Sequence, residues 1–124
     1  MREIKFRAWD KENEKMMKVS SLHLENKEIS VKENGTFRLF RMQDLMQFTG
    51  VKDKNGKEIY ENDLISCNKY KNIVVFFENG CFKIKYPKSD TTNTICTLDT
   101  FLEKYKCKIS GNIYENKNLL EENR

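Results

Sequence analysis

Proline occurs once in these 124 residues, at Pro87, tryptophan once, at Trp9, and histidine once, at His23. With one histidine, any Ser-His-Asp or Cys-His mechanism has to run through His23. It stands between Leu22 and Leu24 with no nucleophile elbow around Ser20 or Ser21, so it is expected to be an outward-facing surface residue. The five glycines, Gly35, Gly50, Gly56, Gly80 and Gly111, are isolated, which leaves neither a phosphate-cradling loop nor a dinucleotide fingerprint. Cys67, Cys81, Cys96 and Cys107 contain no Cys-x-x-Cys knuckle, so a zinc site is disfavoured and four structural or free thiols are expected. No apolar run approaches the roughly 18 residues of a membrane helix. Met1 to Trp9 has no apolar signal-peptide core, and a cytoplasmic protein without membrane association is expected. The pairs Glu12 and Glu14, Glu25 and Glu28, and Glu121 and Glu122 lie in charged, solvated stretches rather than burial-tuned ones. The expectation is therefore a protein without catalytic residues, metal or cofactor, with a small enzyme of unknown reaction as the lesser alternative.

Charge of one sign is also scarce. The net charge is +4, and it is spread evenly: residues 1 to 62 carry 13 basic and 11 acidic side chains, residues 63 to 124 carry 10 and 8. Such interleaving does not imply nucleic acid, though it leaves it possible. What the chain does have is aromatic content, eight Phe, five Tyr and one Trp, against 34% charged residues. Disordered chains lack that aromatic content, so this one folds.

Short alternating segments rich in Val, Ile, Phe, Tyr and Thr, bounded by Asn, Asp, Gly and Lys, predict a mainly β fold. Ile4 to Trp9 places Ile4, Phe6 and Ala8 on one face, and Met16 to Val19 returns antiparallel to it. Further strands are predicted at 22–24, 28–31, 37–40 and 45–48, with turns at Asn26-Lys27 and Asn34-Gly35 and the last strand ended by Thr49-Gly50. Residues 51–58 read as an exposed charged loop with a type I′ turn at Asn55-Gly56. Beyond it, strands are predicted at 63–67, 73–77, 81–86 and 108–114, with Glu78-Asn79-Gly80 the clearest hairpin signal. Asp99 is the expected N-cap of a short helix over 100–105 that buries Phe101, Leu102 and Tyr105. The fold class is thus mainly β with one or two short helices, in antiparallel and strongly bent sheets. One domain over 1–124 is expected, made of an N-terminal β lobe to about residue 50, the loop 51–58, a barrel-like lobe over about 59–114, and a tail 115–124.

Three consecutive runs carry a resemblance: Leu45-Met46-Gln47-Phe48-Thr49-Gly50, then Lys52-Asp53-Lys54-Asn55-Gly56-Lys57-Glu58-Ile59-Tyr60-Glu61, then Asp63-Leu64-Ile65. Together with Ile4-Lys5-Phe6-Arg7-Ala8-Trp9-Asp10 and Gly111-Asn112-Ile113-Tyr114-Glu115-Asn116, they resemble the YopX-like family of phage and prophage proteins. The chain departs from that pattern at Asn62, where the family commonly has Gly, and at Lys117, where Pro is frequent. The resemblance implies a mostly β fold, self-association, and a gene in the accessory part of a phage genome, hence action in the bacterial host cytoplasm. It implies no established activity and no catalytic residues.

Three sets of residues are candidates for contact. Lys52, Asp53, Lys54 and Lys57 form an exposed loop suited to a partner. Lys83 and Lys85, with Lys106 and Lys108, would form one basic face for single-stranded nucleic acid if their strands pair, with Tyr70 or Tyr105 to stack bases. Trp9, Leu119 and Leu120 are candidate oligomer contacts. The favoured reading is an oligomeric binding module acting on a host protein or a sequestered small ligand, as in counter-defence.

Overall fold

The alternating pattern resolves into twelve strands and two short helices over residues 3–122, the residues that the computed structural model describes. Strand accounts for 53% and helix for 9%. The chain divides into two units, Met1–Phe48 and Thr49–Arg124.

In the first unit, β1 (Phe6–Asp10) pairs antiparallel with β2 (Lys15–Lys18), Ala8 opposite Met17, and with the start of β6 (Leu45–Lys52), Arg7 opposite Met46. The β1–β2 turn is organised by Asp10, whose Oδ1 accepts the Glu12 and Asn13 amides at 3.1 and 3.3 Å. A second, three-stranded sheet is a meander of β3 (Ser21–His23), β4 (Glu28–Glu33) and β5 (Thr36–Arg41). The Asn34-Gly35 turn takes positive φ at both residues, 50° and 81°, as a two-residue hairpin requires. Ala8, Met17, Ile29 and Val31 form the core of this unit, with Leu22, Phe40 and Leu45 against it. Two expectations are corrected here. Trp9, a candidate oligomer contact, is only 8% exposed and belongs to the core, while Ile4, placed on one face with the fully buried Ala8, is 59% exposed.

Strand β6 does not stop at Thr49-Gly50. Gly50 at φ 90° bends it, Thr49 Oγ1 donates to the Ile59 carbonyl at 2.7 Å, and the strand continues to Lys52, with β7 (Glu58–Tyr60) beside it in the second unit. The remaining elements are β8 (Asp63–Ser66), β9 (Ile73–Glu78), β10 (Cys81–Pro87), β11 (Asn93–Thr97), α1 (Leu98–Lys104), β12 (Lys108–Asn112) and α2 (Lys117–Glu122). Five of these strands make an antiparallel, strongly curled half-barrel in the order β11-β10-β9-β8-β12. The β9–β10 hairpin turns at Asn79 (φ 50°) and Gly80 (φ 83°), where the sequence places it. A bulge in β12 between Ile109 and Gly111 bends the end strand. Ser110 at that bulge donates to Asn72 Oδ1 at 2.8 Å and receives a bond from Ser66 Oγ at 3.0 Å.

Ile59, Ile65, Ile73, Val75, Ile84, Leu98 and Phe101 fill the half-barrel. Burying a side chain such as Phe101, 1% exposed, contributes about 1.5–3 kcal/mol. Helix α1 begins one residue before Asp99: Thr97 occupies the N-cap position and Asp99 lies in the first turn, where its Oδ1 accepts the Thr100 amide at 2.9 Å. Strands β7 and β11 have no counterpart in the expected elements.

Candidate functional site

Residues 51–58 fold around a carboxylate. Gly56 alone in the Asn55-Gly56 pair takes positive φ, 82°, so the turn is not the type I′ expected. Its geometry comes from Asp53 instead. The Gly56 amide donates to the Asp53 carbonyl at 3.0 Å, and the Asp53 amide to the Lys57 carbonyl at 2.8 Å. Asp53 Oδ1 accepts the Asn55 and Lys57 amides, both at 2.9 Å, and Oδ2 accepts the Ile109 amide at 3.0 Å. Lys54 completes the attachment by donating its amide to the Cys107 carbonyl at 2.9 Å. Asp53 is therefore buried, 8% exposed, while Lys52, Lys54, Asn55 and Lys57 around it are exposed. Burial raises its pKa, but the three backbone donors and the Lys57 charge outweigh it, and the carboxyl lies below its ordinary value.

Anchoring the loop to residues 107–109 builds a cavity of about 280 Å³ lined by Lys52, Asp53, Lys54, Leu102, Tyr105, Lys106 and Cys107. Two of the three loop lysines, Lys52 and Lys54, and one lysine of the basic face, Lys106, thus meet at one opening. Among the described residues, Lys52, Lys54 and Lys106 make no ion pair, and Asp53 is engaged with backbone amides. One lining residue, Tyr105, belongs to an aromatic cluster. Tyr105 packs edge-on against Tyr70 at 5.5 Å and against Phe101 at 4.8 Å, and Tyr70 packs on Tyr86 at 4.9 Å. Burial, followed by a hydrogen bond with Tyr70, pushes the Tyr105 phenol up. Lys69, with its ammonium 5.4 Å from the Tyr70 ring, is held above its ordinary value by the tyrosine hydroxyls. Three exposed ammonium groups at one opening are suited to an anionic group, through attractions that salt screens over about 8 Å at physiological ionic strength.

The other expected sets disperse. Lys83 and Lys85 lie on β10 and Lys108 on β12, and β9 and β8 separate those strands, so the pairing on which a four-lysine face depends does not occur. Lys83 Nζ instead lies 3.7 Å from Glu78 Oε1. Between these lysines on β10, Ile84 is fully buried, with Phe82 and Tyr86 against the same core. His23 is exposed, with Nε2 3.3 Å from Ser21 Oγ. Leu119 and Leu120 are half-buried on α2, and Trp9 is in the core, as above. Sequence reasoning missed the burial of Asp53. The signal lay in the Asp-x-Asn-Gly-Lys spacing, which offers two amides to one carboxylate.

An antiparallel β protein, whose half-barrel carries a lysine-rimmed opening on a loop tied down by a buried aspartate, is the class these features define. The family model described as YopX protein matches residues 5–121, and the chain belongs to that family. A similar solved structure is the crystal structure of protein EF1440 from Enterococcus faecalis, with a TM-score of 0.62 and 24% identity, covering 97% of this chain and 99% of that one. At that identity the likeness is one of fold. No curated protein matches the chain. Among the described residues, no helix is long and apolar enough to cross a membrane.

Proposed function

We propose that this protein is a non-catalytic accessory protein of a phage or prophage that works as an oligomeric binding module in the bacterial cytoplasm. It acts stoichiometrically on a host factor by gripping an anionic group at the cavity of Lys52, Lys54, Tyr105 and Lys106. That group belongs to a small ligand that is sequestered or to an acidic surface of a host protein, and interference with antiviral defence is the setting that fits such a role. The observation that carries the reading is the convergence of three lysines, without an ion pair among the described residues, on one opening around an aspartate committed to the backbone. Exposed ammonium groups on a loop held to residues 107–109 by backbone bonds supply charge for binding an anion.

The test uses the full chain on size exclusion with light scattering and absorbance at 260 and 280 nm, followed by extraction and mass spectrometry. A pull-down from host lysate runs in parallel. The wild type is expected to retain a ligand or partner that the variant Lys52→Glu/Lys54→Glu/Lys106→Glu loses. Equal retention by the two removes the cavity, and multiple turnover of any substrate removes the stoichiometric role.

A further inference from the structure

Strand β5, Thr36-Phe37-Arg38-Leu39-Phe40-Arg41, ends the three-stranded sheet of the first unit. It is exposed along its whole length except at Phe40, and Phe37 and Leu39 are each 62% exposed. Long apolar edge strands are what folded proteins ordinarily avoid or cover. The register identifies which backbone groups lie open. Glu33 faces Thr36, Val31 faces Arg38 and Ile29 faces Phe40, and the next pair outward is closed by the Met42 amide on the Lys27 carbonyl at 2.8 Å. Since hydrogen-bonding direction alternates along an antiparallel strand, residues 36, 38, 40 and 42 bond to β4, and the N–H and C=O of Phe37, Leu39 and Arg41 point away from the sheet.

We infer that this edge pairs with the same edge of a second copy of the chain, antiparallel about a two-fold axis at Leu39. The strand is complementary to itself in that register. Leu39 faces Leu39 of the second copy, Phe37 faces Arg41, and Arg38 faces Phe40, so each arginine meets an aromatic ring and no two like charges stand opposite. All six outward backbone groups are then satisfied, because Phe37, Leu39 and Arg41 occupy the hydrogen-bonded positions on both strands. The arginine–aromatic match already exists within one chain: the Arg38 guanidinium carbon lies 5.0 Å from the Phe40 ring centre, and Lys32 lies 5.8 Å from that of Phe37. The result is a continuous six-stranded sheet in which the two Leu39 side chains lie against each other and each Phe37 lies against an Arg41 on the same face. This inference rests on the self-association contained in the proposed function and is independent of the lysine cavity.

The experiment is disulfide trapping of the full chain with the half-exposed cysteines removed (Cys81→Ser, Cys96→Ser). A two-fold axis at Leu39 brings the α carbons of two Leu39→Cys chains to about 5.5 Å, within disulfide range. Two Phe37→Cys chains would be offset by four residues, about 13 Å along the strand. Leu39→Cys is expected to cross-link on mild oxidation and Phe37→Cys to stay uncross-linked. Light scattering should give about twice the 14.8 kDa chain mass for wild type and the single mass for Leu39→Pro, which removes an outward N–H without touching a bond to β4. A doubled mass without Leu39→Cys cross-linking, or with Phe37→Cys cross-linking equally, overturns the β5 interface and leaves self-association standing. A wild type that runs at the single mass overturns both.

Discussion

Asp53 and Ile109 stand 56 positions apart, and a 3.0 Å bond from the Ile109 amide to Asp53 Oδ2 joins them. This contact holds the charged loop to the end strand of the half-barrel just before its bulge, and with the Lys54 amide on the Cys107 carbonyl it joins the two sides of the cavity. Asp53→Asn replaces one acceptor oxygen with a donor group, so one of the three amides faces an N–H₂ instead of an oxygen. The expected loss is about 1–3 kcal/mol in a urea titration of the full chain. A change within about 0.5 kcal/mol, the range of ordinary surface substitutions, would show that the loop does not depend on this carboxylate.

The pH dependence follows from the same chemistry. Asp53 is held below the usual Asp value of 3.8 by its backbone donors and the Lys57 charge against the opposing effect of burial, and Asp10 by the Asn13 side chain and the Glu12 and Asn13 amides. A carboxylate whose folded pKa is depressed adds stability above its unfolded pKa and loses it as pH falls through the folded one. Stability is therefore expected to hold from neutral pH to about pH 5 and to decline steadily below it. Thermal melts from pH 7 to pH 2.5 measure the decline, which Asp53→Asn should make shallower. An identical slope in the variant would remove Asp53 from the account.

Local signals were legible in the sequence where a single short-range rule decides the geometry. Asn34-Gly35 and Asn79-Gly80 turn where their conformational freedom allows, and Ile84, Phe82 and Tyr86 share the buried side of β10 by simple alternation. Long-range placement was not legible. Lys83 and Lys106 look alike in local pattern, yet two intervening strands separate β10 from β12, and only the sheet order reveals it. Alternation puts Ile4 on one face with Ala8 and Trp9 on the other, but Ala8 and Trp9 are both buried and Ile4 is exposed. Strands β7 and β11 were missed because one is three residues long and the other, Asn93–Thr97, is polar with little alternation. Half of the cavity was foreseen as a loop. Its meeting with Lys106 and Tyr105 depends on the Asp53–Ile109 bond, which no local rule supplies.

Asn62 lies in the left-handed region, with φ 68°, a conformation that Gly adopts freely and Asn tolerates better than other residues. Its amide donates to the Val75 carbonyl at 2.8 Å and its carbonyl accepts the Ile113 amide at 3.0 Å, so the conformation is fixed from two sides. Asn62→Gly is expected to match or exceed wild-type stability, whereas Asn62→Ala should cost about 1–2 kcal/mol. Equal denaturation midpoints for Gly and Ala would contradict a left-handed requirement.

Gly111 is constrained by space rather than by φ. A β carbon there would sit 2.5 Å from Asn116 Oδ1 and 3.0 Å from Asn116 Cβ, and that Oδ1 accepts the Asn112 amide at 3.1 Å. Gly111→Ala should therefore cost about 1–3 kcal/mol through overcrowding. Asn116→Ala removes the obstructing oxygen, so the double variant should lose at least about 0.5 kcal/mol less than the two single losses added. Strict additivity would place the cost elsewhere.

The four thiols should separate by reactivity in the folded protein. Cys107 is 1% exposed in the half-barrel core beside Cys67, and burial, followed by the neighbouring thiol, pushes its pKa up to about 12. At pH 8 only about one Cys107 in ten thousand is then a thiolate, the form that attacks a disulfide reagent. Cys81 is half-buried beside the β9–β10 turn, with its Sγ 3.8 Å from the Glu78 carbonyl oxygen. Treatment of the native chain with an aromatic disulfide reagent should label Cys81 first and leave Cys107 unmodified until denaturant is added, as read by peptide mass mapping over time. Labelling of Cys107 at the rate of Cys81 in the native protein would mean that the core beneath the lysine cavity opens far more readily than its burial implies.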